Sequence, residues 1–402
     1  MNIVFIPSIM LPMPPVKGGA VQNLIQLYID SNEITKNDNI YVFSLFNKEA
    51  VAEADKFSYT EFYYIKNSDF LEKLHEKGLK YISALAFRIR TGLYIKRIIQ
   101  KIKSMPDLES LDIIVVENWP KLILPLRRIF SGKHLCIHLH NDYLNKKTKK
   151  GTKISSASDK IICISDYICG LVREVAEPRK IVRVYNGVKL TPSDSGMVNH
   201  LKSQYNIKED DFVVIFSGRL VQNKGAHILL QAYDYINKKE KIKFIFLGSR
   251  LYGQSSNDVY INGLKKKAEM HPDNIIFTGY IDYKEISNYY ALGNVGCLPA
   301  LWDEPLSLTV IEYLMSGLPV IATRSGGIPE LLDNSCSFML ERDLDLPQNI
   351  AKKIEYLQQN PSIRNEMSDA AIKRGAYFNS DTYVSELRNT FNACIQEKVD
   401  ER

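Results

Sequence analysis

Short β-branched, apolar runs alternate with amphipathic stretches along the whole chain. In the first half the runs are NIVFIPS (2–8), IYVFSLF (40–46), EFYYI (61–65), IIVVEN (113–118), HLCIHLHN (134–141), KIICIS (160–165) and IVRVYN (181–186). In the second half they are FVVIFSGR (212–219), KFIFLGS (243–249), NIIFTGY (274–280), VGCLPA (295–300) and PVIATR (319–324). Segments with helical period lie between them, at 19–35, 225–238, 257–270 and 305–317. Strands that are apolar on both faces, separated by amphipathic helices, predict parallel sheets covered on both sides.

The alternation breaks once, at LTPSDSGMVN (190–199), which is rich in Pro, Ser, Gly and Asp and has no periodicity. It predicts a first domain at 1–190, a linker at 191–209 and a second domain at 210–377, each a doubly wound α/β unit. Residues 378–402 are helical in period and are expected to strap back onto the first domain. Such sheets take ligands at the carboxyl ends of their strands, so two of them facing each other predict a deep cleft.

Composition narrows the class. Of 402 residues, 45% are apolar and 24% charged, which excludes a largely disordered chain. No apolar run reaches the roughly 18 residues of a membrane span. MNIVFIPS enters a strand with no basic region before it, unlike a secretory signal. Cys136, Cys163, Cys169, Cys297, Cys336 and Cys394 form no CxxC, and several lie in strand-like runs, as in a reduced cytoplasmic protein. The net charge of +6 conceals an asymmetry: residues 1–190 hold 29 Lys and Arg against 19 Asp and Glu, and the remainder is net acidic. The first half therefore favours an anionic neighbour.

Several motifs carry chemistry. SGRLVQNKG (217–225) follows a strand and opens a helix, bringing Arg219 and Lys224 to a junction whose free N–H groups already favour an anion. Two solvated cations beside a helix cap are the plain alternative. EPLSLTVIE (304–312) holds Glu304 and Glu312 about two helical turns apart, with Pro305 placed to start a helix. Carboxylates accept vicinal sugar hydroxyls, and the N–H groups of Leu306, Ser307 and Leu308 at a helix N-terminus can hold a phosphate. A simple capping charge is the alternative. Gly326-Gly327, after a strand, permit close backbone approach or a plain tight turn. Gly18-Gly19 sit between the first strand and first helix without forming GxGxxG, which argues against a dinucleotide. On HLCIHLHN, His134, Cys136, His138 and His140 share one face. No further residue has metal-ligand spacing, so no metal is expected there. His140, nearest the carboxyl end, is the one placed to meet substrate, and His138 is expected to pack.

Taken in order, GRL-x3-KG at 218–225, E-x7-E at 304–312, SGLPVIAT and GG-x2-E at 326–330 resemble the retaining glycosyltransferase family 4, of GT-B fold, in its bacterial cell-surface and spore-coat subgroup. The resemblance implies that Arg219 and Lys224 neutralise the diphosphate of a nucleotide sugar. It implies that Glu304 contacts the donor sugar, that Glu312 contacts the ribose, and that His140 is the family's first-domain histidine. Gly18, Gly19, Gly218 and the backbone near Tyr280 and Ile281 complete the implied donor set, with uracil the favoured base. VYNG (184–187) resembles the family's hinge signature.

The expected activity is transfer of a hexose or N-acetylhexosamine, with retention, to a hydroxyl of a glycan or lipid-linked acceptor. No cofactor or metal is expected, because the cations and helix N-terminus replace one. Asp343-Leu344-Asp345 lies outside any metal-binding context and reads as a solvated cap. A sugar-nucleotide 2-epimerase and a non-catalytic nucleotide-sugar-binding subunit are the rival readings. Residues 71–103 carry nine Lys and Arg against two Glu, and Lys146, Lys147, Lys149, Lys150 and Lys153 follow the histidine strand. This basic face suggests contact with anionic lipid on the inner side of the plasma membrane, an ordinary solvated face being the alternative. No nucleic-acid reader motif accompanies it.

Overall fold

The computed structural model describes all residues except 8–9, 67–79, 107, 250–258 and 401–402, and only the backbone of 80–90 and 398–400. The chain divides into two compact units, Met1–Gly187 with Ser380–Arg402, and Val188–Asn379.

The first unit holds β1 (Asn2–Ile6), β2 (Asn39–Leu45), β3 (Thr60–Ile65), β4 (Ile113–Glu117), β5 (His134–Leu139), β6 (Lys160–Cys163) and β7 (Ile181–Arg183). They form one parallel sheet in the order β3-β2-β1-β4-β5-β6-β7. The order reverses between β1 and β4, so a crevice opens at the carboxyl ends of those strands. Gly18 and Gly19 follow β1 with φ of 69° and 114°, and the helix Ala20–Thr35 starts directly after them. Glu117 closes β4, and His138 and His140 lie at the end of β5.

The helix Ser380–Asp400 belongs to this first unit, although the whole second unit precedes it in the chain. Tyr383, Val384, Leu387, Phe391 and Cys394, spaced at helical period, enter the core that also contains Ile3, Phe5, Tyr28 and Val115. The rings of Phe5, Tyr28 and Phe391 meet at centroid distances of 5.5–6.1 Å. Buried Asp38 gathers the N-terminal ammonium at 3.1 Å, the Tyr28 hydroxyl at 2.8 Å and Arg388 at 3.0 Å. A buried carboxylate with three such partners fixes the returning helix in register.

The second unit holds β8 (Phe212–Ser217), β9 (Ile242–Leu247), β10 (Ile275–Gly279), β11 (Val295–Leu298), β12 (Val320–Thr323) and β13 (Ser337–Leu340), parallel in the order β10-β9-β8-β11-β12-β13. Its reversal falls between β8 and β11, which places the Arg219 loop and the Glu304 loop side by side. β13 was not among the predicted strands: SFML is four residues long, sits at the sheet edge and pairs only with β12. Residues 191–209, expected as linker, include the helix Ser195–Gln204. Asp194 starts it by accepting from the Met197 N–H at 2.7 Å, and Leu201 is buried. The short polar composition that suggested a linker is the cap itself. The helix expected at 305–317 begins at Leu308, and Ser307 rather than Pro305 sets its start, its Oγ accepting from Val310 N–H.

Close backbone approaches hold the two loops of the second switch point together. Gly225 has φ 77°, and a Cβ there would lie 1.9 Å from the Pro299 carbonyl oxygen. Gly326, at φ 52°, would place a Cβ 2.1 Å from the Glu304 carbonyl oxygen. Gly225→Ala therefore combines left-handed strain with a backbone clash and should destabilise by about 1–3 kcal/mol or more. Gly263→Ala, on an exposed helix position with open space around it, should stabilise by about 0.5–1 kcal/mol. Urea melts of the two variants check both signs.

Candidate active site

In the second unit, β8 ends at Ser217 and the chain turns through Gly218, at φ 140°, to Arg219. A short 3-10 turn, Gln222–Lys224, then ends at Gly225, and the helix Ala226–Asp234 follows. Arg219 is exposed and makes no ion pair among the described residues. Lys224 Nζ lies 2.6 Å from Glu304 Oε1, and both side chains are largely buried. The same oxygen accepts from Trp302 Nε1 at 2.5 Å, and the Lys224 ammonium lies 5.9 Å from the Trp302 ring centroid. Gly327 N–H donates to the Glu304 carbonyl at 2.7 Å. The paired glycines thus approach the backbone of Glu304 and fix the carboxylate that faces Lys224.

Glu312 sits one layer deeper. The Tyr290 hydroxyl bridges Glu312 Oε2 at 2.6 Å and Ser217 Oγ at 2.9 Å, and the Tyr283 hydroxyl also bonds the carboxylate. Burial raises the Glu312 carboxyl above its ordinary value, and the two hydroxyls oppose the shift. The helix Leu308–Met315 is seated by Tyr313, whose hydroxyl accepts from Ser217 N–H at 2.7 Å and reaches Ile215 O at 3.1 Å. Gly296 leaves room for that ring, since a Cβ there would fall 2.4 Å from it.

Because the helix begins at Leu308, the Leu306 and Ser307 N–H groups precede it, and Ser307 uses its hydroxyl as cap. The anion-facing N–H groups expected at 306–308 shift accordingly, and of these only Leu308 lies within the helix. Tyr280 is exposed and Ile281 half-buried, both on the turn after β10. Asp343 and Asp345 are exposed; Asp343 Oδ1 accepts from Asp345 N–H at 3.1 Å in the turn before the helix Leu346–Gln359.

The first unit holds a second cluster. Register pairs Glu117 of β4 with His138 of β5. Glu117 Oε2 lies 2.8 Å from His140 Nε2 and 3.2 Å from His138 Nδ1, with all three residues buried. The imidazole centroids are 4.2 Å apart. His138 is buried as expected, but against a carboxylate rather than apolar neighbours alone. The expectation that no third residue has metal-ligand placement is corrected: Glu117, His138 and His140 each offer one donor atom within 4.8 Å of the others, a set able to hold a cation. Sequence spacing hid Glu117 because it lies on another strand. Its only signal was a lone acidic residue ending the apolar run IIVV.

The two imidazoles hold the Glu117 carboxyl down to about 2 against the opposing effect of burial. Burial lowers His140 to about 4, with a contribution from His138. Gln22 is buried beside Gly19, and its Nε2 reaches Leu11 O at 3.5 Å. Of the basic face, 71–79 lies outside the described residues. In the helix Lys80–Lys103, Tyr94, Ile98, Ile99 and Ile102 are buried, whereas Lys96, Arg97, Lys101 and Lys103 are exposed. Lys146, Lys147, Lys149, Lys150 and Lys153 are also exposed, Lys146 within 3.1 Å of Glu174. No helix among the described residues is long and apolar enough to cross a membrane.

Two parallel, doubly wound sheets with charged loops at a switch point define the class of GT-B proteins. The family model for glycosyl transferases group 1 matches residues 198–374, which lie within the second unit. Spore coat protein SA of Bacillus subtilis (strain 168) is 25% identical over 380 residues, 91% of this chain and 92% of its own length. The putative glycosyltransferase YtcC of the same organism is 25% identical, over 97% of this chain and 91% of its own. Among solved structures, Anabaena Alr3699/HepE in complex with UDP superposes with a TM-score of 0.74 at 18% identity, covering 98% of this chain and all of that one.

Acidification tests the buried cluster. Between pH 6.5 and 4 the unfolded chain takes up a proton on residue 140 that the folded chain refuses. Between 4.5 and 2 the same holds for residue 117. Stability should therefore fall as pH drops through both windows. Melting temperature measured from pH 7 to 4 should decline, and His140→Gln should flatten the decline between 6.5 and 4.5.

Proposed function

We propose that the protein transfers a hexose or N-acetylhexosamine from a nucleoside-diphosphate sugar, a UDP-sugar by preference, to a hydroxyl of a glycan or lipid-linked acceptor, with retention of configuration and without a metal. The observation that carries this reading is the Lys224–Glu304 pair at the switch point of the second sheet, on the same loops as Arg219, which makes no ion pair among the described residues. The donor complexes of Anabaena Alr3699/HepE, with UDP and with UDP-glucose, support a uridine nucleotide for this fold.

Cleavage of the sugar–phosphate bond leaves added negative charge on the diphosphate. Arg219 offers a planar fork and Lys224 a point charge, both aimed where that charge develops. Binding of the donor shifts Lys224 from Glu304 toward phosphate oxygens. Glu304, released from part of its ion pair, accepts donor sugar hydroxyls, and Trp302 keeps the carboxylate in place. Glu312 takes ribose hydroxyls in exchange for tyrosine hydroxyls. His140 meets a substrate hydroxyl at the carboxyl end of β5. The departing diphosphate assists removal of the acceptor proton on the face from which it leaves. Gly18, Gly19, Gly218, Leu306, Ser307, Leu308, Tyr280 and Ile281 belong to the donor set in this reading. The exposed lysines at 96–103 and 146–153 present the protein to anionic lipid from the cytoplasmic side.

Arg219→Ala should lower kcat by about 10²-fold or more, with chelator leaving wild-type turnover unchanged. Loss of turnover with chelator, or near-normal turnover of Arg219→Ala, overturns the electrostatic reading. A melting-temperature panel of UDP-, GDP- and ADP-sugars identifies the donor, because a ligand of the native state raises the midpoint. Nucleotide release that requires acceptor separates transfer from epimerisation and from mere binding. Flotation with anionic vesicles, and none with neutral ones, is the expected result for the lysine face.

A further inference from the structure

The end of β4 meets the end of β5 through three hydrogen bonds, two of them to His140. Asn118, at φ 52°, donates its N–H to the His138 carbonyl at 2.7 Å, and its Oδ1 accepts from the His140 N–H at 3.1 Å. The Glu117 carboxylate receives His140 Nε2 at 2.8 Å. Backbone and ring are therefore both anchored by two consecutive residues of the neighbouring strand. His140 Nδ1 is buried and has no hydrogen-bond partner among the described residues.

We propose that Glu117 is the positioning residue of His140, holding its Nε2–H so that Nδ1 is presented as a bare acceptor to a substrate hydroxyl. This rests on the reading of His140 as a substrate contact. An ionised carboxylate has acceptors only, so the ring nitrogen facing it must carry the proton. A neutral imidazole has one N–H, and the other nitrogen is then a lone pair. The low values of Glu117 and His140 agree with an anion beside a neutral ring. A buried acceptor left without a partner is the exception in folded proteins and calls for a partner that the described residues do not supply. A hydroxyl of the sugar or acceptor has the required proton. The charged or titratable groups facing His140 are Glu117 from β4 and His138 from β5. Tyr383 of the C-terminal helix stacks on His138 at 6.4 Å and faces the same carboxylate.

The test uses the full-length chain labelled with ¹⁵N at histidine. Long-range ¹H–¹⁵N spectra at pH 7 should show His140 with Nε2 protonated and Nδ1 bare, and this needs no variant to fold. Glu117→Gln should disturb that single tautomer and lower kcat at least 10-fold, with the donor KM within about 2-fold. Glu117→Asp, which keeps the carboxylate, should restore part of the rate. A wild-type spectrum with Nδ1 protonated overturns the proposal, and so does Glu117→Gln with unchanged kcat and an unchanged pH–rate profile. One tightly bound divalent ion per chain, lost in Glu117→Gln, also overturns it and makes the cluster a metal centre. If His140→Ala turns over normally while the wild-type tautomer is as stated, the substrate contact fails and the anchoring of the ring stands.

Discussion

A lysine and a glutamate 2.6 Å apart at the switch point of the second sheet tie its two central loops together. The pair is largely buried, so neither charge is neutralised by water and each holds the other. It exists because the loops after β8 and β11 are forced together. Gly225 lets the first loop lie against Pro299, and Gly326 lets the chain after β12 lie against Glu304. Trp302 adds an indole N–H to the same oxygen, which orients the carboxylate without adding charge. A ligand with more negative charge than one carboxylate competes for Lys224. In the proposed reading, a diphosphate is such a ligand.

The first unit solves a different electrostatic problem. Its buried carboxylate, Glu117, has imidazoles rather than an ammonium for partners. The charge stays on the carboxyl group, and the ring at 140 stays neutral near physiological pH. The contrast follows from what each carboxylate faces. In the second unit a permanent cation stands beside Glu304. In the first, a weakly basic ring gives directional hydrogen bonding and keeps the site free of net positive charge.

The unit that holds His140 is completed by the last residues of the chain. Tyr383, Leu387 and Phe391 fill a core begun by Ile3 and Phe5, and Asp38 ties the N-terminal ammonium to Arg388. The helix periodicity of 378–402 was readable, as were twelve of the described strands, because apolar side chains at period 2 or 3.6 report burial directly. SFML was not readable. Four residues at an edge carry too little periodicity, and their strand character comes from pairing with β12. The helix start at Leu308 was also misplaced by the presence of Pro305, because a capping serine two residues later offered the better hydrogen bond.

Arg219, Lys224, Glu304, Glu312 and His140 are site candidates on sequence grounds, because each lies in a local motif beside a strand end, where chemistry and turn geometry occur together. Their partners were not. Glu117, Trp302, Tyr283 and Tyr290 act through contacts set by sheet order, register and loop packing, and no spacing along the chain records those. Sequence by itself determined the alternation of strands and helices, the two α/β units and the charges at their strand ends, since these depend on local periodicity and side-chain type. Only the tertiary structure decided which carboxylate meets which cation or imidazole, because strand pairing brings together residues whose separation in the chain carries no information about distance.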